Sequence, residues 1–394
     1  MRNLGVPLYI NCICCHQSPG GPGGSGINII LTDYSQFSHI FGPDYNLVGF
    51  DPRGVQHSGP STDCFSGDFK IAEDFVVERG RRNPINSEED LNAQFDMLSA
   101  YGPFCAARLN RTVSYVGTTA VARDLVQYAE QAAILRGQSA QTASIYYAGF
   151  SYGSILGTTL ATPYPSLIGR MWLDGVASAP EYYDGTWATF QVDTDAAISS
   201  FFTSCFDAGP IRCVYYSASS PSAIQTRYLA LEAHLKEHPI SVFNLSVVEV
   251  PQFATWNHLR LAFLNAAYTP QRSFPAMAQI LLDLEHRNGS SLLSFMRATA
   301  VPCYECEKKT ALQYSADLAL IPIECADRAG RGGLPSVEAF RDDLKVRLRI
   351  SSYAGEYGSE HVLFCRGWGF GPPESQRFDG MYGFPFRSYS ISHM

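Results

Sequence analysis

The chain has 394 residues, 46% of them hydrophobic and 17% charged, which is enough for one large globular domain plus an inserted or appended second unit. A formal net charge of −8 argues against a nucleic-acid or anionic-membrane partner, because both need a basic face. No run of 18 or more apolar residues exists, so no membrane partner or spanning segment is expected.

Leu8 to Cys14 reads as a short apolar strand and is followed by the glycine-rich stretch Ser18 to Gly26. Tyr45 to Phe50 reads as a second buried strand, ending at Asp51-Pro-Arg-Gly54. Thr118 to Ala132 is a predicted helix opened by a threonine, with Val121, Leu125, Tyr128 and Ala132 on one face. Ser144 to Ala148 is a strand, Tyr152 to Ala161 a helix and Gly169 to Leu173 a strand. Buried strands alternating with helices predict a parallel sheet covered on both faces. From Ala179 to about Leu320 helix formers and aromatics dominate, with helices around Gln225–Glu237, Trp256–Ala267 and Met277–Glu285, so a helical cap is expected. Ser336 to Arg349 reads as an exposed helix of mixed charge, a solvated face. The last 25 residues show no periodicity. The boundaries expected are a core over 1–178, a cap and return segment over 179–380, and an irregular tail over 381–394.

Eleven cysteines is a high count for a reducing compartment. Cys64 and Cys105, Cys205 and Cys213, and Cys325 and Cys365 stand at separations that could close loops, although sequence does not fix the pairing. Three sequons (Asn110-Arg-Thr, Asn244-Leu-Ser, Asn288-Gly-Ser) fit a glycosylated exterior, though composition alone would supply about two. Together these favour secretion. Met1 to Ile10 has no charged-then-apolar leader, so either the protein is cytosolic or its start lies upstream.

The strongest motif is Gly149-Phe-Ser151-Tyr-Gly153, between a buried strand and a small-residue helix. Glycines two residues either side of a serine permit a sharp strand-to-helix turn that lifts the hydroxyl clear of the sheet. Ser151 is the candidate nucleophile. An oxyanion needs two N–H donors, and the backbone N–H groups of Tyr152 and Gly21 are the candidates. The glycine stretch has two rival readings. It lacks the Gly-Lys-Ser/Thr ending of a phosphate loop and the glycine spacing of a dinucleotide fingerprint, while a flexible linker stays open.

These motifs, with Val48-Gly-Phe-Asp-Pro-Arg-Gly-Val55 and Leu173-Asp-Gly-Val176, occur in the order found in α/β-hydrolase peptidases. Over roughly residues 15–180 the chain resembles the secreted tripeptidyl aminopeptidase and proline iminopeptidase group. Beyond that the resemblance rests on Ile323-Glu-Cys-Ala-Asp327 and Cys365-Arg-Gly-Trp368. It implies an α/β-hydrolase fold with a helical cap, an exopeptidase that releases short N-terminal pieces from a peptide substrate, and Ser151 as nucleophile. It also places the triad aspartate and histidine after the last two strands, beyond Met394. The C-terminal strands are therefore expected to be missing, with the chain truncated at both ends and inactive as written. Gln56 stands where the family has glycine, and His57 where it has a shorter polar residue.

Within the chain, His57 is the nearest candidate substitute base, since it follows a strand whose end borders the site. His16, His39, His234, His238, His258 and His286 read as structural or helix-end residues, His361 as a loop residue and His393 as terminal. Asp174 is a candidate acid, although the turn-forming Asp-Gly reading is preferred. Asp51 and Arg53 read as locks on their own loop, and Asp327 as a cap or hinge residue. Cys303-Tyr-Glu-Cys306 is half a zinc site without a second half, and Cys12, Cys14, Cys15 and His16 cannot all meet one ion from one strand edge. No metal or cofactor is expected. An esterase on small acyl esters and a non-catalytic binding protein are the alternative functions, and the oligomeric state is open.

Overall fold

The computed structural model describes residues 8–13, 21–81, 85–217, 219–299, 316–331 and 333–378. Four strands, β1 (Leu8–Ile13), β2 (Asn46–Gly49), β3 (Ile145–Phe150) and β4 (Ile168–Asp174), pair in the order β2-β1-β3-β4, every pair parallel. Parallel neighbours need long crossovers, and helices supply them. Helix α1 (Gly26–Phe41) joins β1 to β2. Helices α2 (Phe69–Arg81), α3 (Glu88–Ala106) and α4 (Thr118–Leu135) lie between β2 and β3, and α5 (Tyr152–Ala161) joins β3 to β4. The sequence reading identified neither α2 nor α3.

The register brings the strand C-termini to one edge, with Asn11 opposite Gly49, Ile13 opposite Phe150, and Phe150 opposite Asp174. From β1 the chain moves to β2 on one side, then crosses back to β3 on the other. The gap between the ends of β1 and β3 is therefore the switch point at which open α/β sheets bind ligands.

Above the sheet come α6 (Ala179–Asp184), α7 (Thr194–Arg212), α8 (Pro221–Glu237), the antiparallel pair β5 (Ile240–Val242) and β6 (Gln252–Ala254), then α9 (Trp256–Ala267), α10 (Pro270–Glu285) and α11 (Ser290–Thr299). Ile198, Phe201, Phe263, Met277 and Leu281 belong to a core that this cap builds for itself. Tyr182 and Tyr183 on α6 instead pack into the core beneath the sheet's helices. Helices α12 (Ala316–Arg328), α13 (Val337–Ile350) and α14 (Gly355–Phe364) return to the first unit, where Leu320, Phe340 and Phe364 pack with Leu91, Leu98 and Tyr101.

All three loop closures foreseen from cysteine separation are present as disulfides: Cys64–Cys105, Cys205–Cys213 and Cys325–Cys365. No described helix is long and apolar enough to cross a membrane.

Two expectations need correction. Helix α13 is not simply a solvated face. Phe340 and Leu344 are buried, and Arg347 turns inward to bond Asp343 at 2.6 Å and the carbonyl of Thr186. His361 is no loop residue: it is buried on α14, against Glu324. Residues 14–16, 303, 306, 393 and the expected tail over 381–394 lie outside the described residues.

Candidate active site

At the end of β3 the backbone of Ser151 takes φ 53° and ψ −120°, and α5 begins at the next residue. A non-glycine residue held at positive φ costs on the order of 1–3 kcal/mol and persists only where its surroundings over-determine it. They do so here. Ser151 N–H donates to the carbonyl of Asp174 at 3.0 Å. Ser154 Oγ donates to the carbonyl of Ser151 at 2.6 Å and accepts from Ala177 N–H at 2.9 Å. The turn is thus pinned to the end of β4 from both sides.

Glycine is obligatory beside it. A Cβ on Gly149 would lie 2.4 Å from the carbonyl oxygen of Gly153, and one on Gly157 would lie 2.7 Å from Leu173 Cδ2. Strand and helix can approach this closely only without side chains there. Ser151 is half-buried and makes no side-chain cap bond to α5, so its hydroxyl is not consumed by the helix that follows. The N-terminal end of α5 favours negative charge by roughly 0.3–1 kcal/mol.

Tyr152 opens α5 with its backbone, as its assignment as an oxyanion donor requires. Its buried ring runs inward, where its hydroxyl pairs with Thr118 Oγ1 at 2.5 Å. Gly21 is buried in the segment that follows β1, the strand beside the elbow. Two close backbone approaches hold this segment. A Cβ on Gly23 would lie 2.4 Å from the carbonyl of Ala316 at the start of α12, and one on Gly26 would lie 2.4 Å from the carbonyl of Phe50.

Asp51 ties the segment to the end of β2. Its carboxylate accepts from Ser25 Oγ at 2.5 Å and from His57 N–H at 3.3 Å. Arg53 does not lock its own loop as expected; it makes a two-pronged bond to Asp124 on α4, at 2.6 and 2.7 Å. That pairing raises the guanidinium pKa against the opposing pull of burial.

The other sequence candidates fall as follows. Asp174 is exposed at the end of β4, and its carboxylate accepts from Gly175 N–H at 2.8 Å, the local bond of an Asp-Gly turn. His57 is exposed, with its ring against the Gln56 amide at 3.2 Å. Among the described residues no histidine ring bonds Ser151. Nor do three or more histidine, cysteine or acidic side chains gather there as metal ligands.

Sequence reasoning did not find the buried network beneath the elbow. Asp327 accepts from Thr118 N–H at 2.6 Å, Thr118 Oγ1 at 2.5 Å and Tyr182 OH at 2.8 Å. Burial raises its carboxyl pKa to about 6, assisted by nearby Glu324 and opposed by those hydrogen bonds. One turn away, Glu324 accepts from Arg328 at 3.1 Å and pairs with His361 Nδ1 at 3.0 Å. Burial pushes the Glu324 pKa up, yet Arg328 and His361 together hold it below the ordinary value. The only signal was Ile323-Glu-Cys-Ala-Asp327 itself, whose partners lie far away in sequence.

A strained serine at a strand–helix junction, at the switch point of a parallel sheet, is joined by a family match: a profile described as alpha/beta hydrolase fold covers residues 13–202. This chain has the α/β-hydrolase fold. Among proteins similar to this chain, the tripeptidyl aminopeptidase of Streptomyces lividans is 28% identical over 227 residues, 57% of this chain and 39% of that protein. Serine protease Hip1 of Mycobacterium tuberculosis is 31% identical over 161 residues, 40% of this chain and 28% of that protein. Carboxylesterase B of the same organism is 29% identical over 117 residues, 27% of this chain and 20% of that protein. The matched segments thus span well under half the length of these relatives. Over that span the resemblance to α/β-hydrolase serine peptidases holds.

Proposed function

We propose that this protein of α/β-hydrolase fold is a serine peptidase that forms an acyl-enzyme on Ser151 and releases short pieces from peptide N-termini. The backbone of Ser151, strained at the strand–helix junction and pinned to β4, carries the reading. The backbone N–H groups of Tyr152 and Gly21 are assigned to the oxyanion. The exopeptidase step itself rests on the aminopeptidase and protease relatives, and the cap is assigned to restrict entry to chain ends.

On this reading Ser151 is the nucleophile, and among the described residues no histidine ring bonds it. A serine without its base loses on the order of a million-fold in turnover. On this reading the described segment alone turns over poorly, and Asp174 and His57 contribute turn geometry, not proton transfer. The match to a carboxylesterase favours one alternative, hydrolysis of small acyl esters, since the same nucleophile and donors serve both reactions.

The test is reaction of the protein from its own source with a fluorophosphonate probe, beside Ser151→Ala. Labelling that maps to Ser151 and vanishes in the variant supports a serine hydrolase. Absence of labelling, or labelling that survives Ser151→Ala, overturns it. Faster turnover of a tripeptidyl amide than of a short-chain ester then supports the peptidase, and the reverse order supports the esterase.

A further inference from the structure

We propose that Asn110 and Asn244 are N-glycosylation sites, each carrying an oligosaccharide on its side-chain nitrogen. The two positions share a local geometry that their sequence motif alone does not guarantee. Asn110 Oδ1 accepts from Thr112 N–H at 2.9 Å and from the Thr112 hydroxyl. Asn244 Oδ1 accepts from Ser246 N–H at 3.0 Å and from the Ser246 hydroxyl at 2.7 Å. In both, the hydroxyl two residues on polarises the amide through its oxygen. Among the described residues no hydrogen bond engages either Nδ2. Both asparagines and both hydroxyl residues are exposed.

The third sequon differs. Asn288 Oδ1 accepts only the backbone N–H of Ser290, and Gly289 between them is buried, with its Cβ position 2.5 Å from Ala254 and 2.9 Å from Val242. It is left out of the proposal.

Two further observations converge. The Cys64–Cys105, Cys205–Cys213 and Cys325–Cys365 disulfides fit an oxidising compartment, the kind of environment in which such transfer takes place. Asn244 is also flanked by Phe243 and Leu245, which are 79% and 87% exposed, with Phe253 on β6 also exposed. Large apolar side chains clustered at one surface point mark a covered site. An oligosaccharide on Asn244 shields them.

The donor is an oligosaccharide linked to a polyprenyl diphosphate. A bond forms between Nδ2 and the first sugar carbon, and that carbon's bond to the diphosphate oxygen breaks. The diphosphate lipid leaves with the electron pair, and the amide nitrogen gives up one proton.

The test is independent of the peptidase reading. Protein purified from its own source is digested with a peptide N-glycosidase in heavy-oxygen water and mapped by mass spectrometry, with disulfides mapped in parallel. The expected result is loss of two oligosaccharide masses and heavy-oxygen aspartate at 110 and 244. Thr112→Ala removes the mark at 110 alone, and Ser246→Ala removes the mark at 244 alone. Unmodified asparagine at either position, in protein whose Cys325–Cys365 bond is intact, overturns that site. Reduced cysteines throughout overturn both. If a variant fails to fold, the map of the unmutated protein decides alone.

Discussion

Asp327 on α12 closes the N-terminus of α4 by accepting both the backbone N–H and the hydroxyl of Thr118, 209 residues earlier in the chain. The N-cap residue itself, Gly117, has no side chain to do this, and a Cβ there would lie 2.7 Å from Asp327 Oδ1. A capping bond is worth about 1 kcal/mol, and a charged acceptor more. Thr118 in turn holds the hydroxyl of Tyr152, the residue that follows Ser151.

This arrangement sets a pH dependence. The Asp327 pKa is raised to about 6, so the folded state keeps its proton at pH values where the unfolded chain has lost it. Stability from this group is greatest below about pH 4 and falls as pH rises to about 6, by on the order of 3 kcal/mol. Denaturant titrations between pH 4 and 7 should show Asp327→Asn gaining on the unmutated protein across that window. Parallel curves would remove Asp327 as the source.

Arg328 is fully buried, and its nearest charge is Glu324 at 3.1 Å. Removing one member of a buried ion pair strands the other, at a cost of about 3–5 kcal/mol. Arg328→Met should therefore lower the unfolding free energy from urea titration by that amount, whereas the double change Arg328→Met with Glu324→Leu should recover part of it. A double variant no better than the single one contradicts the pairing.

Gly149→Ala tests the elbow. Its Cβ meets the Gly153 carbonyl at 2.4 Å and Tyr147 Cε1 at 2.6 Å, both in packed backbone or ring. Overpacking of this kind costs about 1–3 kcal/mol, and fluorophosphonate labelling should be lost as Ser151 shifts. Gly333→Ala, with nothing near its Cβ position, should change stability by less than about 0.5 kcal/mol. Equal effects of the two substitutions would contradict the close approach.

The disulfides rank by the loop they close. Cys325–Cys365 spans a separation of 40 and Cys205–Cys213 one of 8. Chain-entropy arguments assign about 4 and about 2.5 kcal/mol to these. Paired Cys→Ala variants followed by calorimetry should show the longer loop costing more. The reverse order would mean that strain or residual unfolded-state structure dominates.

The elbow was legible because its requirements are local: Gly149, Ser151 and Gly153 are adjacent and the strand and helix flank them. The succession of strands along the chain was legible for the same reason, whereas their order in the sheet, β2-β1-β3-β4, was not read from the sequence. Helix α3 escaped notice although Ser87 caps it and Glu88, Glu89 and Asp90 fill its first turn. Buried Gln94 and internal Pro103 break its apolar pattern. His361 looked like a loop residue because Gly355 and Gly358 interrupt the segment. Both glycines are there for packing: a Cβ at 355 would lie 2.7 Å from the Arg347 backbone, and one at 358 would lie 2.7 Å from Gln191. Asp327 was unreadable as a capping group, since its partners Thr118 and Tyr182 are distant in sequence and only the fold unites them.

Helix α12 bears on the glycine segment at Ala316 and on α4 at Asp327. A helix turns about 100° per residue, so inserting or deleting one residue between these points would swing the carboxylate away from Thr118. On this geometry the spacing from Ala316 to Asp327 is fixed by two contacts at once. Relatives that keep the serine turn should therefore gain and lose residues on either side of 316–328, and not within it.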